Sequence, residues 1–173
     1  MTSPVHRLAT PDAPVWWVIH TRPRCEKKMD QWLASRGMEH FLPARPKVRI
    51  YPSKKVTFEH PLFAGYAFGA FSLRQRVYVL DSGHAAGVLD VLNQAQLLSE
   101  LGAVRRALEM GAPLEECPYI SVGQRARITA GPCRGLEGHV ERTAGNARFM
   151  LSVEFLQRSV AMEVDSSMLE LAA

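Results

Sequence analysis

Arg22, Arg24, Lys27 and Lys28 stand together at the start of an expected helix, and this cluster is the chain's clearest site for chemistry on an anion. Their charges add to the N–H groups and dipole of a helix N-terminus, an arrangement that holds phosphate. Trp32 lies further along the same helix. An indole there can stack on a base, but its spacing with Met29 favours core packing. Arg45, Lys47, Arg49, Lys54 and Lys55 extend the positive potential. Between Arg22 and His60 ten Lys/Arg face four Asp/Glu, a local +6, whereas the remainder holds eleven against thirteen, a net of −2. So local a charge points either to an anionic partner or to a solvated face plus a loop.

Covalent and metal chemistry find less support. Cys25 opens the helix beside Arg24, Lys27 and Lys28, a setting that favours a thiolate nucleophile. It is also the first member of an apolar stripe, and packing is the preferred reading. Histidines at 6, 20, 40, 60, 84 and 139 form no H-x-x-x-H or H-E-x-x-H arrangement. No G-x-S-x-G or Walker A pattern occurs. Cys25, Cys117 and Cys133 are odd in number and far apart, against both a disulfide framework and a zinc site. No catalytic residue, metal or cofactor is expected.

These residues need elements to position them. Val15 to His20 reads as a strand. Thr21 can cap the following helix, with Pro23 in its first turn. Cys25, Met29, Trp32 and Leu33 form its apolar stripe, and Gly37 suits a left-handed end. Phe41 to Pro43 begins an extended piece. Arg45 to Lys55 reads as a hairpin tip or mobile loop, returning as a strand at Val56 to Phe58. Tyr66 to Phe71 and Arg76 to Leu80 read as further strands. Leu97, Leu98, Leu101, Val104 and Leu108 make a second amphipathic helix, ended by Gly111 with Pro113 beyond. Residues 111–119, with two prolines, read as a linker. Thereafter Ala126/Ile128, Phe149/Leu151/Val153/Phe155 and Val160/Met162/Val164 alternate with period two, and Gly145-Asn146 is a hairpin-turn pair. A fold of class α+β follows: an antiparallel sheet with flanking helices over 15–110, then a small SH3-like β-barrel over 120–173. Residues 1–14 read as a disordered tail without a secretory h-region. No apolar run approaches the ~20 residues of a membrane span.

Pro61 to Phe71 concentrates Leu62, Phe63, Tyr66, Phe68 and Phe71. On a strand from Tyr66, residues 66, 68 and 70 share one face and 67, 69 and 71 the other. One face is core; the other is either core as well or a patch for a partner. Gly131, Gly135 and Gly138 permit tight turns, chiefly as scaffold.

Taken in order, several strings resemble the NusG family. They are Trp16-Trp17, T-R-P-R-x-E-K-K at 21–28, F-L-P at 41–43, P-L-F-x-G-Y at 61–66, the glycine-bearing 122–138 segment and S-V-E-F-L-Q-R-S-V-A-M-E-V-D at 152–165. The second and last look most like specialised paralogues of the RfaH or polysaccharide-operon type. The resemblance implies an NGN domain over 15–110 and a KOW domain over 120–173. It implies a cytoplasmic, monomeric, non-enzymatic elongation or antitermination factor that binds RNA polymerase. Clamp contact would fall on His20, Phe63, Tyr66 and Phe68, and contact across the cleft on Arg76, Val77 and Tyr78. Non-template DNA in the elongation complex would meet Arg22, Lys28, Trp32 and Arg36, beside Arg24 and Lys27. The KOW domain would recruit a ribosomal protein or termination factor. Ala64 departs from the family's usual proline, Trp32 and Ser35 from polar or basic residues, and Leu89 to Gln96 is short. The rival expectation is a KOW-type RNA-binding or ribosome-associated protein.

Overall fold

The computed structural model describes residues 12–119, 123–142 and 146–172. Its elements run β1 (Val15–Thr21), α1 (Glu26–Ser35), β2 (Glu39–Phe41), β3 (Ala44–Tyr51), β4 (Lys54–Pro61), β5 (Tyr66–Phe71), α2 (Arg76–Asp81), β6 (Ala85–Leu89) and α3 (Gln94–Glu109). There follow β7 (Glu115–Pro118), β8 (Gln124–Ile128), β9 (Glu137–Arg142), β10 (Asn146–Val153), β11 (Arg158–Asp165) and β12 (Leu169–Leu171). They form two compact units: Met1–Leu42 with Ala64–Gln94, and Pro43–Phe63 with Ala95–Ala173. Most of the expected tail, 1–11, lies outside the described residues.

In the first unit a four-stranded antiparallel sheet has the order β2-β5-β1-β6. Alternation along β1 and β5 puts Trp17, Ile19, Ala67 and Phe71 on one face. Met29 and Leu33 of α1, Val79 of α2, and Ala85 and Val88 of β6 join them in one core. Each large side chain buried there stabilises the fold by about 1.5–3 kcal/mol. Trp17 stacks on Phe71 with ring centroids 5.7 Å apart, and its indole N–H donates to the Phe71 carbonyl at 2.8 Å. Trp16 lies two residues beyond the end of the β1–β6 ladder. There the Gln94 amide stands in for a strand: it accepts from Trp16 N–H at 2.9 Å and donates to Trp16 C=O at 2.7 Å, satisfying both backbone groups.

The expected first helix forms, but Thr21 does not cap it. Thr21 ends β1 and is 2% exposed; α1 begins at Glu26 after Arg24 takes φ +62°. Gly37, at φ +66°, ends it as expected, with Met38 N–H closing on Leu33 C=O at 3.1 Å.

The expected strand at Arg76–Leu80 is instead the helix α2. A capping box outweighs its β-branched composition. Ser72 N–H donates to Gln75 Oε1 at 2.9 Å, and Gln75 N–H donates to Ser72 Oγ at 3.2 Å.

In the second unit β3 and β4 pair along their whole length, from Ala44↔Pro61 to Tyr51↔Lys54. The segment expected as a hairpin tip or mobile loop is thus a full two-stranded ribbon. Helix α3 buries Leu97, Leu101, Val104 and Ala107, whereas Leu98 is 43% exposed. Strand β7 lies inside the expected linker and pairs with β11. The C-terminal strands form a six-stranded antiparallel sheet of order β12-β8-β9-β10-β11-β7. Among the described residues no pairing joins β12 to β7, so the sheet is not the closed barrel expected. Its alternating core is Ala126, Ile128, Phe149, Leu151, Val153, Val160 and Met162. Phe155 leaves the pattern because a 3-10 turn at Glu154–Leu156 interrupts the strands. The expected Gly145-Asn146 turn falls at the β9–β10 connection, and residues 143–145 lie outside the described ones. Among the described residues no helix is long and apolar enough to cross a membrane.

Candidate functional site

Two of the quoted strings, T-R-P-R-x-E-K-K and P-L-F-x-G-Y, meet at one end of the first sheet. Register sets His20 opposite Tyr66, and their rings stack at 5.4 Å with planes 29° apart. Gly65, at φ +85°, turns the chain into β5. Its carbonyl accepts from Thr21 N–H at 2.8 Å, and its N–H donates to Glu26 Oε1 at 2.8 Å. Glu26 is therefore the clasp between the start of α1 and the aromatic strand. Sequence reasoning passes over it, although an acid in a helix's first turn is a readable signal.

The cations surround this clasp. Arg22, Arg24, Lys27 and Lys28 are all exposed. The Arg22 N–H donates to His84 C=O at 2.8 Å, which fixes the backbone entering the turn. Further along α1, the Arg36 guanidinium lies 4.9 Å from the Trp32 ring centroid, and Trp32 packs half-buried on the core. The structure thus favours packing for Trp32, with one ring face already taken. Asp30, on the same helix, lies 3.9 Å from His40. Burial raises its carboxyl above the usual carboxylate range, and the His40 charge opposes that.

The aromatic strand shows less surface than its composition suggests. Phe68 is fully buried and Phe63 is 1% exposed. Both faces of β5 are core at Phe68 and Phe71, leaving His20 exposed and Tyr66 half-buried. Helix α2 offers a second surface. Val77 and Tyr78 are 51% and 62% exposed, with Leu73 and Leu80 beside them. Arg76 faces inward: it lies over the Trp17 ring at 5.2 Å, donates to Val88 C=O at 2.8 Å and pairs with Asp90 at 3.4 Å. It fastens α2 to β6 more than it faces a partner.

The first unit thus shows two exposed surfaces, one basic and aromatic at the end of the sheet and one apolar on α2. Among the described residues no three His, Cys, Asp or Glu gather as metal ligands would.

Residues 14–117, more than half of the chain, match a family model described as transcription termination factor nusG. The chain belongs to the NusG family, and its kind of function is that of a transcription elongation factor. No curated protein matches. A solved structure titled "Crystal Structure of MjSpt4:Spt5 complex conformation B" is similar at 13% identity over 92% of this chain and 97% of that one, with a TM-score of 0.31.

Proposed function

We propose that this chain is a non-enzymatic elongation or antitermination factor of the specialised, RfaH-like kind, and that it rides on RNA polymerase. His20 and Tyr66 meet the polymerase clamp, whereas Phe63 and Phe68 are buried and serve as core. Val77 and Tyr78 meet the opposite side of the cleft, held in place through Arg76. Bridging the two favours the closed clamp and disfavours the paused state, a shift of a conformational equilibrium by differential binding. Arg22, Arg24, Lys27 and Lys28 lie against the non-template DNA strand. The C-terminal sheet serves as the KOW module and recruits a ribosomal protein or a termination factor.

The observation that carries this reading is the clasped His20–Tyr66 pair beside the basic start of α1, in the same unit as the exposed α2 residues. It is supported by membership of the family. Binding to a reconstituted elongation complex, with pausing scored in the same reaction, tests it. Tyr66→Ala removes one ring of the stack, worth about 0.5–1.5 kcal/mol beyond its area. The expected result is weaker polymerase binding with the fold retained. Unchanged binding in the folded variant would sink the clamp assignment.

A further inference from the structure

Where α1 packs on the edge strand β2, one pair of side chains depends on a single proton. Register sets His40 opposite Gly69. Gly69 has no side chain, and a Cβ there would stand 3.1 Å from Leu33 Cδ1, so α1 lies close over this part of the sheet. Asp30 of α1 thereby faces His40 of β2, with Oδ1 and Nε2 3.9 Å apart. Asp30 Oδ1 is buried and accepts no hydrogen bond. His40 Nδ1 lies 2.8 Å from Met38 C=O. A carbonyl only accepts, so Nδ1 carries a proton whatever the charge of the ring. The other nitrogen, Nε2, then decides what Asp30 meets. Protonated, it presents a cation and a donor; bare, it presents a lone pair to a carboxylate.

We propose that Asp30 and His40 form a proton-operated latch between α1 and β2, closed while the ring is charged and released when it is neutral. The charges on the neighbouring elements are otherwise engaged or turned away. On α1, Glu26 accepts from Gly65 N–H and Lys27 is exposed. On β2, Glu39 is exposed and alternates to the opposite face. Arg36, between the two elements, lies over Trp32. The facing residues of β5 are Phe68, Gly69 and Ala70, none of them charged. Burial raises the Asp30 carboxyl above the usual carboxylate range, and the His40 charge opposes that rise. Taken alone, a raised carboxyl contributes stability below its unfolded value and loses it as pH rises through the raised one. The imidazolium offsets that loss until the ring gives up its proton, which imidazoles do between about pH 5 and 8. Strand β2 has three residues and pairs with β5 alone, so the latch is its second hold. The same helix carries Lys27 and Lys28, and the latch sets how firmly those cations are placed.

Urea unfolding of the full chain at about pH 5.5 and about pH 8.5 tests the latch, in a cycle of the parent, Asp30→Asn, His40→Gln and the double variant. The His40 and Asp30 side chains remain 31% and 28% exposed, so solvent screens the pair. At the acid pH the pair should contribute about 2- to 5-fold to the ratio of folded to unfolded protein, beyond what the two single changes explain. At the alkaline pH that coupling should vanish or reverse. Asp30→Asn should lower the urea midpoint at the acid pH and raise it at the alkaline one, where its amide N–H can donate to the bare Nε2. A role in packing alone would give one sign at both. The nitrogen-15 shifts of the His40 ring in the unaltered protein add a readout that no variant's folding affects. At about pH 8.5 they should show the proton on Nδ1. Equal coupling at the two pH values would overturn the proposal, as would a neutral ring protonated on Nε2. Polymerase and nucleic acid are absent from both measurements, so failure of the clamp reading leaves their results intact.

Discussion

Replacing Glu26 by Ala removes the carboxylate that accepts from Gly65 N–H at 2.8 Å. A hydrogen bond to a charged group contributes about 1.5–3 kcal/mol. Glu26 is half-buried, so the lower part of that range applies. Loss of an acid from the first helical turn adds about 0.3–1 kcal/mol, less where solvent screens it. A total of about 1.5–3 kcal/mol lowers the melting temperature of a chain this size by roughly 3–12 °C. Glu26→Gln keeps an acceptor and gives up only the charge, so its effect should be less than half as large. The second readout is functional. Gly65 leads directly into Tyr66, and loosening the clasp frees the His20–Tyr66 pair from its fixed place beside α1. Affinity for the elongation complex should therefore fall in the same order, Ala more than Gln. Calorimetric melting of the three proteins, followed by binding at one temperature, gives both numbers. A Glu26→Ala protein that melts within a degree of the parent would refute the clasp. One that melts lower yet binds equally would separate the clasp from docking.

Two further changes probe the second unit. A Cβ on Gly138 would stand 2.5 Å from the Met150 carbonyl oxygen and 2.7 Å from Phe149 Cζ. Gly138→Ala must push β9 away from β10, and overpacking of this kind costs about 1–3 kcal/mol or more; an unaltered thermal midpoint would show the strands can yield there. Burial raises the Glu100 carboxyl above the usual carboxylate range; Gln96 and the Glu154 N–H oppose this, and the Glu154 charge adds to it. The native state then holds a proton to higher pH than the unfolded chain does. This group's contribution to stability is full below the unfolded value and is lost as pH rises towards the raised native one. Urea midpoints measured from about pH 4 to about pH 7 should decline less steeply in Glu100→Gln than in the parent, and parallel curves would exclude the effect.

Periodic patterns made much of the fold legible, and local hydrogen bonds account for what stayed hidden. The stripe from Met29 to Leu33 and the alternation along Phe149, Leu151 and Val153 each report one continuous buried face, so both elements were readable. Val77, Val79 and their neighbours suggest a strand by composition alone, whereas the residues just before them start a helix. The Ser72-Leu-Arg-Gln75 string is itself a legible helix start. Strand β7 was hidden by its two glutamates, its own Pro118 and the preceding Pro113, since an edge strand tolerates residues that a central strand does not. Phe68 shows the limit for the site. Its alternation with Tyr66 told which face it shares, but not whether that face is covered. Glu26 and Gly65 lie 39 residues apart, and no spacing rule connects them.

The stack of Phe71, Trp17 and Arg76 makes Trp17 a built-in optical gauge. The chain has three tryptophans, and this one has its N–H bonded, one neighbour an aromatic ring and another the guanidinium of the very helix that displays Val77 and Tyr78. A partner that shifts α2 must move that cation relative to the indole. A fluorinated tryptophan at this position turns the shift into a resonance change, so engagement of α2 can be followed without a label on the docking surface.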